Sequence, residues 1–138
     1  MRIGAVIIMA FAFAACSKSS STTNNPTGPS SSDTTVSFVS EIQPIFTANC
    51  AIPGCHVSSG TIAPMSLEAG KSYANLVNVL STEDASFYRV KPFNSDSSYL
   101  YLKITGAAGT RMPLNKQALG QAQINTIKSW IDQGAKNN

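Results

Sequence analysis

Seven consecutive residues, Cys50-Ala51-Ile52-Pro53-Gly54-Cys55-His56, restrict this chain more than any other stretch. They hold two of its three cysteines and its only histidine. Two thiols and an imidazole form bonds much stronger than packing contacts, so whatever they bond to fixes the path of the chain between them. The spacer must close from Cys55 back towards Cys50, and Pro53-Gly54 is a dipeptide that makes turns. The flanking segments therefore leave this loop close together. Apolar Ile45-Phe46 leads directly into it.

The 138-residue chain divides by composition. Met1-Arg2 is followed by an apolar run from Ile3 to Ala15, which is too short to span a bilayer and has the form of a signal-peptide core. Phe13-Ala14-Ala15-Cys16 resembles the lipobox of bacterial lipoproteins, in which the cysteine is acylated and becomes the new N-terminus. That predicts a signal peptide over 1–15 and a lipid on Cys16 that holds the protein at a membrane surface. Ordinary signal cleavage beside a stray cysteine is the alternative. After Cys16, the rest of the segment 16–35 is nearly all Ser, Thr, Asn, Pro and Gly with almost no large apolar side chain. Such a segment cannot offset its ordering entropy by burial, and it reads as a flexible tether. Residues 36–138 are left for one small domain, whose core would gain from a cofactor or crosslink. The formal net charge of +3 has no lysine or arginine run behind it, which argues against a nucleic-acid partner.

Within that domain the apolar spacings are helical. Phe38, Val39, Ile42, Ile45 and Phe46 predict a first helix with Pro44 near its start and a capping box of Ser40 and Gln43. Leu67, Tyr73, Leu76, Val77 and Leu80 predict a second over about residues 68–79. Ser95-Asp96 offers cap chemistry for a short third helix holding Tyr99, Leu100, Leu102, Lys103 and Ile104. Ile124, Ile127, Trp130 and Ile131 define the last helix, with Gly120 at its start and Gly134 as its stop. Residues 57–64, 81–95 and 106–113 read as connections. No strand alternation is convincing, so the fold class is mainly α. Long connections in so small a domain imply that something besides side chains fills the middle.

A cysteine-bounded loop ending in Cys-His is the attachment signature of a c-type haem, although the usual spacer has two residues and this one has four. The two thiols add across the haem vinyl groups and His56 binds the iron. A disulfide between Cys50 and Cys55 is the main rival, and an exported location favours it, but it leaves His56 without a role. Zinc lacks a fourth Cys or His ligand, and adjacent Cys and His seldom face each other as a catalytic pair. Haem iron takes a sixth ligand, and a methionine thioether opposite histidine raises the reduction potential. Met65 and Met112 are the methionines left after signal removal. Met112 is preferred, because it lies far along the chain beside Pro113, whereas Met65 is cramped by its nearness to His56.

From about Phe38 to Ala135 the chain resembles a small class-I-like cytochrome c domain of the kind found in lipoproteins and multidomain proteins of environmental bacteria. The matching pieces are Ile42-Gln43-Pro44-Ile45-Phe46, Asn49-Cys50, Cys55-His56, Tyr73-Ala74-Asn75-Leu76-Val77 and Ser98-Tyr99-Leu100-Tyr101-Leu102-Lys103-Ile104. Arg111-Met112-Pro113-Leu114 and Ile127-Lys128-Ser129-Trp130-Ile131-Asp132-Gln133-Gly134-Ala135 complete them. The resemblance implies one covalent haem c on Cys50 and Cys55, with His56 and Met112 as axial ligands. It implies several short helices around the haem, the first and last crossing beside it, with Phe46 and Trp130 as packing residues. Arg111, Tyr99, Tyr101 and Lys103 are candidates for a haem propionate, and solvation is the simpler role for each. The expected protein is an electron carrier and not an enzyme. It would meet redox partner proteins on the periplasmic side of the inner or outer membrane, or at the cell surface. A haem-free, disulfide-stapled surface lipoprotein that acts as a binding module is the alternative function.

Overall fold

In the computed structural model, which describes residues 34–59 and 65–138, helical structure begins one residue after Ser37. Ser37 is extended, its Oγ accepts the Ser40 N–H at 3.2 Å, and its own N–H donates to Glu41 Oε2 at 2.8 Å. The cap is thus Ser37 with Glu41, and not Ser40 with Gln43, because Ser40 already lies inside the helical segment. Phe38–Ile42 is a π-helical turn. Its wider winding sends the Gln43 N–H back to the Phe38 carbonyl and delivers Pro44, which has no N–H to place, into the first turn of α1 (Gln43–Asn49). Asn138 completes this end: its backbone carbonyl accepts from Val39 N at 2.9 Å and its Oδ1 from Phe38 N at 2.9 Å.

The second helix is shorter than the predicted 68–79. α2 covers Ser72–Leu76, after a turn in which Lys71 and Ser72 both donate to the Glu68 carbonyl. The chain then becomes extended, since Val77 bridges to Val90 and Leu80 to Tyr88. Residues 88–90 are held on their other edge too, where Tyr99 N and Leu100 N donate to the carbonyls of Tyr88 and Arg89, both at 2.9 Å. Tyr88 also bridges to Ser98. These isolated bridges are the only β pairing among the described residues, and the architecture is mainly helical with no sheet.

α3 (Tyr99–Thr105) starts after Ser98, not at Ser95-Asp96. The Ser98 hydroxyl turns backwards, accepting from Lys91 N at 2.8 Å and donating to the Asn94 carbonyl at 2.7 Å, so it orders the preceding loop and leaves the helix without a side-chain cap. α4 (Gln121–Asp132) follows its predicted limits. Gly120 precedes it, with the Gly120 N–H donating to Gln123 Oε1 at 3.1 Å. Gly134, at φ +101°, ends it as Gly134 N and Ala135 N return to the Ile131 and Trp130 carbonyls, the pairing of a Schellman stop.

The core lies where α4 packs on the π turn and on α3. Ile42, Phe46, Ile127, Trp130 and Ile131 are fully buried there. The Phe38 ring stands 5.2 Å from that of Trp130, 5.4 Å from Tyr73 and 6.3 Å from Phe46, contacts that add to simple burial. Buried polar groups beneath this cluster are matched: Gln43 Nε2 donates to the Leu67 carbonyl at 3.1 Å, and Gln43 Oε1 accepts from the Ser72 hydroxyl. The core therefore occupies one side of the domain. On the other side, between the loop after α1, the 77–90 ribbon, α3 and the loop before α4, it leaves space. The predicted signal peptide (1–15), Cys16, the tether up to residue 33 and residues 60–64 of the loop after His56 lie outside the described residues.

Candidate cofactor site

That space is a cavity of about 570 Å³, within the roughly 300–1,000 Å³ usual for small-molecule and cofactor clefts. Leu67, Leu76, Leu100, Ile104 and Pro113 give it apolar walls. Cys50, Cys55, His56, Met65 and Met112 all open onto it. It thus gathers every thiol, imidazole and thioether in the described residues.

The loop that presents the cysteines follows from its sequence. Cys50 ends α1, its N–H bonded to the Phe46 carbonyl at 2.8 Å. Cys55 N donates to the Ile52 carbonyl at 2.9 Å, and Gly54 between them has φ +80°. Proline at the second place, a positive-φ glycine at the third and this hydrogen bond are the marks of a type II turn. His56 N then donates to the Cys50 carbonyl at 3.0 Å, and Leu67 N to the His56 carbonyl at 2.9 Å. The four-residue spacer is taken up as this outward turn, so Cys50 and His56 stay bonded neighbours despite its length. Both thiols are free.

Burial sets the electrostatics. It pushes the Cys50 thiol up to about 11, with the nearby Cys55 adding to the effect. Burial and, second, the Arg89 charge hold the His56 ring below its ordinary value, so the imidazole is neutral, the form that binds metals. Among the described residues no hydrogen bond involves that ring, and its Nδ1 is fully buried without a partner. An unsatisfied buried nitrogen costs about 1–3 kcal/mol. Among the described residues no three of His, Cys, Asp and Glu come together as a group that could hold a bare metal ion.

Two methionines reach the cavity, and their surroundings differ. Met65 also packs against the core cluster, whereas Met112 is not part of that packing. Met112 is placed by its N–H, which donates to the Lys103 carbonyl at 2.9 Å, and by the neighbouring Arg111, whose Nη2 donates to the Lys116 carbonyl at 2.9 Å. Arg111 therefore braces the Met112 loop and does not line the cavity, and Tyr101 does not line it either. Tyr99 and Lys103 do, but Lys103 Nζ is engaged by Glu83 at 2.8 and 2.9 Å and sits 5.6 Å from the Tyr99 ring centre. Sequence reading missed Arg89, a buried cation on the cavity wall. A lone arginine within the apolar run Phe87-Tyr88-Arg89-Val90 was the available signal.

Set against protein families, curated proteins and solved structures, the chain matches none.

Proposed function

We propose that this domain is a c-type cytochrome module that carries one covalent haem and transfers electrons, tethered to a membrane through lipid on Cys16. The observation that carries this reading is the convergence of Cys50, Cys55, His56 and Met112 on one apolar cavity of about 570 Å³. In it, Cys50 and Cys55 would hold the haem through thioether bonds to its vinyl groups. His56 would hold the haem iron through its imidazole and Met112 through its thioether. Haem iron supplies a one-electron couple. With both His56 and Met112 holding the iron, no position would be left for a substrate, which supports the role of a carrier over that of a catalyst. The residues around the site hold the ligands rather than move them, as the His56–Cys50 and Met112–Lys103 backbone bonds illustrate.

The test is a reduced-minus-oxidised spectrum of the full chain made in a host with haem-attachment machinery. A c-type haem band is expected. Its absence, with two thiols that titrate only after reduction, would transfer the protein to the rival reading of a disulfide-stapled surface module.

A further inference from the structure

Four charged side chains line the cavity: Glu83, Arg89, Lys103 and Lys116. Glu83 and Lys103 neutralise each other, and Lys116 is exposed to solvent. Arg89 is different. It is 8% exposed, and no carboxylate pairs with it among the described residues. Among the described residues one group hydrogen-bonds its side chain, the Asn75 carbonyl, which accepts from Nη1 at 2.8 Å. A guanidinium has five N–H donors in a planar fork. Arg89 lies on the cavity lining, and among the described residues no further hydrogen bond takes up its other donors.

The backbone fixes this side chain from two directions. Arg89 N donates to the Val79 carbonyl at 2.7 Å, and its own carbonyl accepts from Leu100 N at 2.9 Å. Its neighbour Val90 is fully buried and Arg89 itself lies on the cavity lining, whereas Tyr88 is exposed. A buried charge without a counter-ion is strongly disfavoured. The Asn75 carbonyl alone does not neutralise it.

We propose that Arg89 is the anion seat of this cavity, its guanidinium pairing with a carboxylate borne by the occupant. The assignment rests on the haem reading above, under which that carboxylate is a haem propionate. Arg89 would then act as a positioning residue that fixes the porphyrin's orientation by a charge-assisted, fork-shaped contact. The competing role is a strut that merely ties the ribbon to the end of α2 through the Asn75 carbonyl.

Two variants of the full, haem-loaded chain separate these roles. Arg89→Gln keeps an N–H donor for Asn75 and loses the charge, while Arg89→Lys keeps the charge and loses the fork. The readouts are the propionate bending band in the resonance Raman spectrum and the midpoint potential. The expected result is a shifted band in both variants, with the potential lowered in Arg89→Gln and largely restored in Arg89→Lys. Wild-type band and potential in Arg89→Gln would overturn the assignment and leave the haem reading standing. If Arg89→Gln does not accumulate as folded protein, an unchanged band in Arg89→Lys overturns it equally. A wild-type chain that carries no haem would refute the haem reading itself, and the assignment with it.

Discussion

Replacing each cavity methionine by alanine separates ligation from packing, because the two side chains have different surroundings. Met65 packs against the core cluster. Removing a fully buried methionine costs about 2–5 kcal/mol; Met65 is half-buried, so about 1–2 kcal/mol is expected from Met65→Ala, a fall in Tm of several degrees for a domain of this size. Met112 makes no such contact with the core, and its loop is held by backbone bonds that alanine retains. Met112→Ala should therefore cost the haem-free fold less than about 1 kcal/mol. In the haem-loaded protein the order reverses: Met112→Ala loses the low-spin spectrum and gains carbon monoxide binding in the reduced state, while Met65→Ala keeps a wild-type spectrum. The assay is an absorption spectrum and a thermal melt on each variant. A wild-type spectrum in Met112→Ala together with a high-spin one in Met65→Ala would refute the assignment and make Met65 the ligand.

Three further expectations concern the framework of the site. The Cys50 thiol, raised from 9.0 to about 11, should have a thiolate fraction roughly a hundredfold smaller at pH 8 than an ordinary thiol; alkylation of the haem-free protein followed by mass mapping should show Cys50 reacting correspondingly slowly. The same shift stabilises the haem-free fold below pH 9, and that contribution is lost as pH rises from 9 through about 11. Glu68 accepts hydrogen bonds from Ser58, Ser66 and Lys71, which lower its pKa to about 2. It thereby joins the segment after His56 to the turn before α2. Its contribution is present above pH 4.5 and fades as pH falls towards 2, and Glu68→Gln should speed hydrogen exchange at the Ser58 amide with little effect at Trp130. Gly134→Ala places a Cβ 2.6 Å from the Phe93 ring at a φ of +101°, so a loss of about 1–2 kcal/mol or more is expected from the strained backbone alone. A chemical denaturation curve indistinguishable from wild type would show that the α4 stop is not held as described.

Helix α4 was legible because its apolar residues repeat at helical spacing and Gly134 marks the stop, both local signals. The turn at Pro53-Gly54 was legible for the same reason. What failed depended on partners distant in sequence. Val77 and Leu80 fit a helical pattern, yet they leave α2 early to pair with Val90 and Tyr88, a contact no local window contains. Ser40 looked like a cap because it precedes Gln43 by three residues, but the π turn moves the helix start back to Ser37. The candidate site was read from the chemistry of Cys50, Cys55, His56 and Met112, and the fold places all four on one cavity. Arg89 went unnoticed because its importance comes from burial without a counter-ion, a property of the folded chain and not of the residues beside it.

The central claim is that Cys50 and Cys55 bond a haem within this cavity. Its most direct test is the intact mass of the full chain, expressed with haem-attachment machinery and measured after acid denaturation, which strips any haem held by axial ligands alone. The account predicts a mass increased by one haem, retained after denaturation and lost when both cysteines are replaced by serine. An unmodified polypeptide mass, or two mass units lost to a Cys50–Cys55 disulfide, would contradict it.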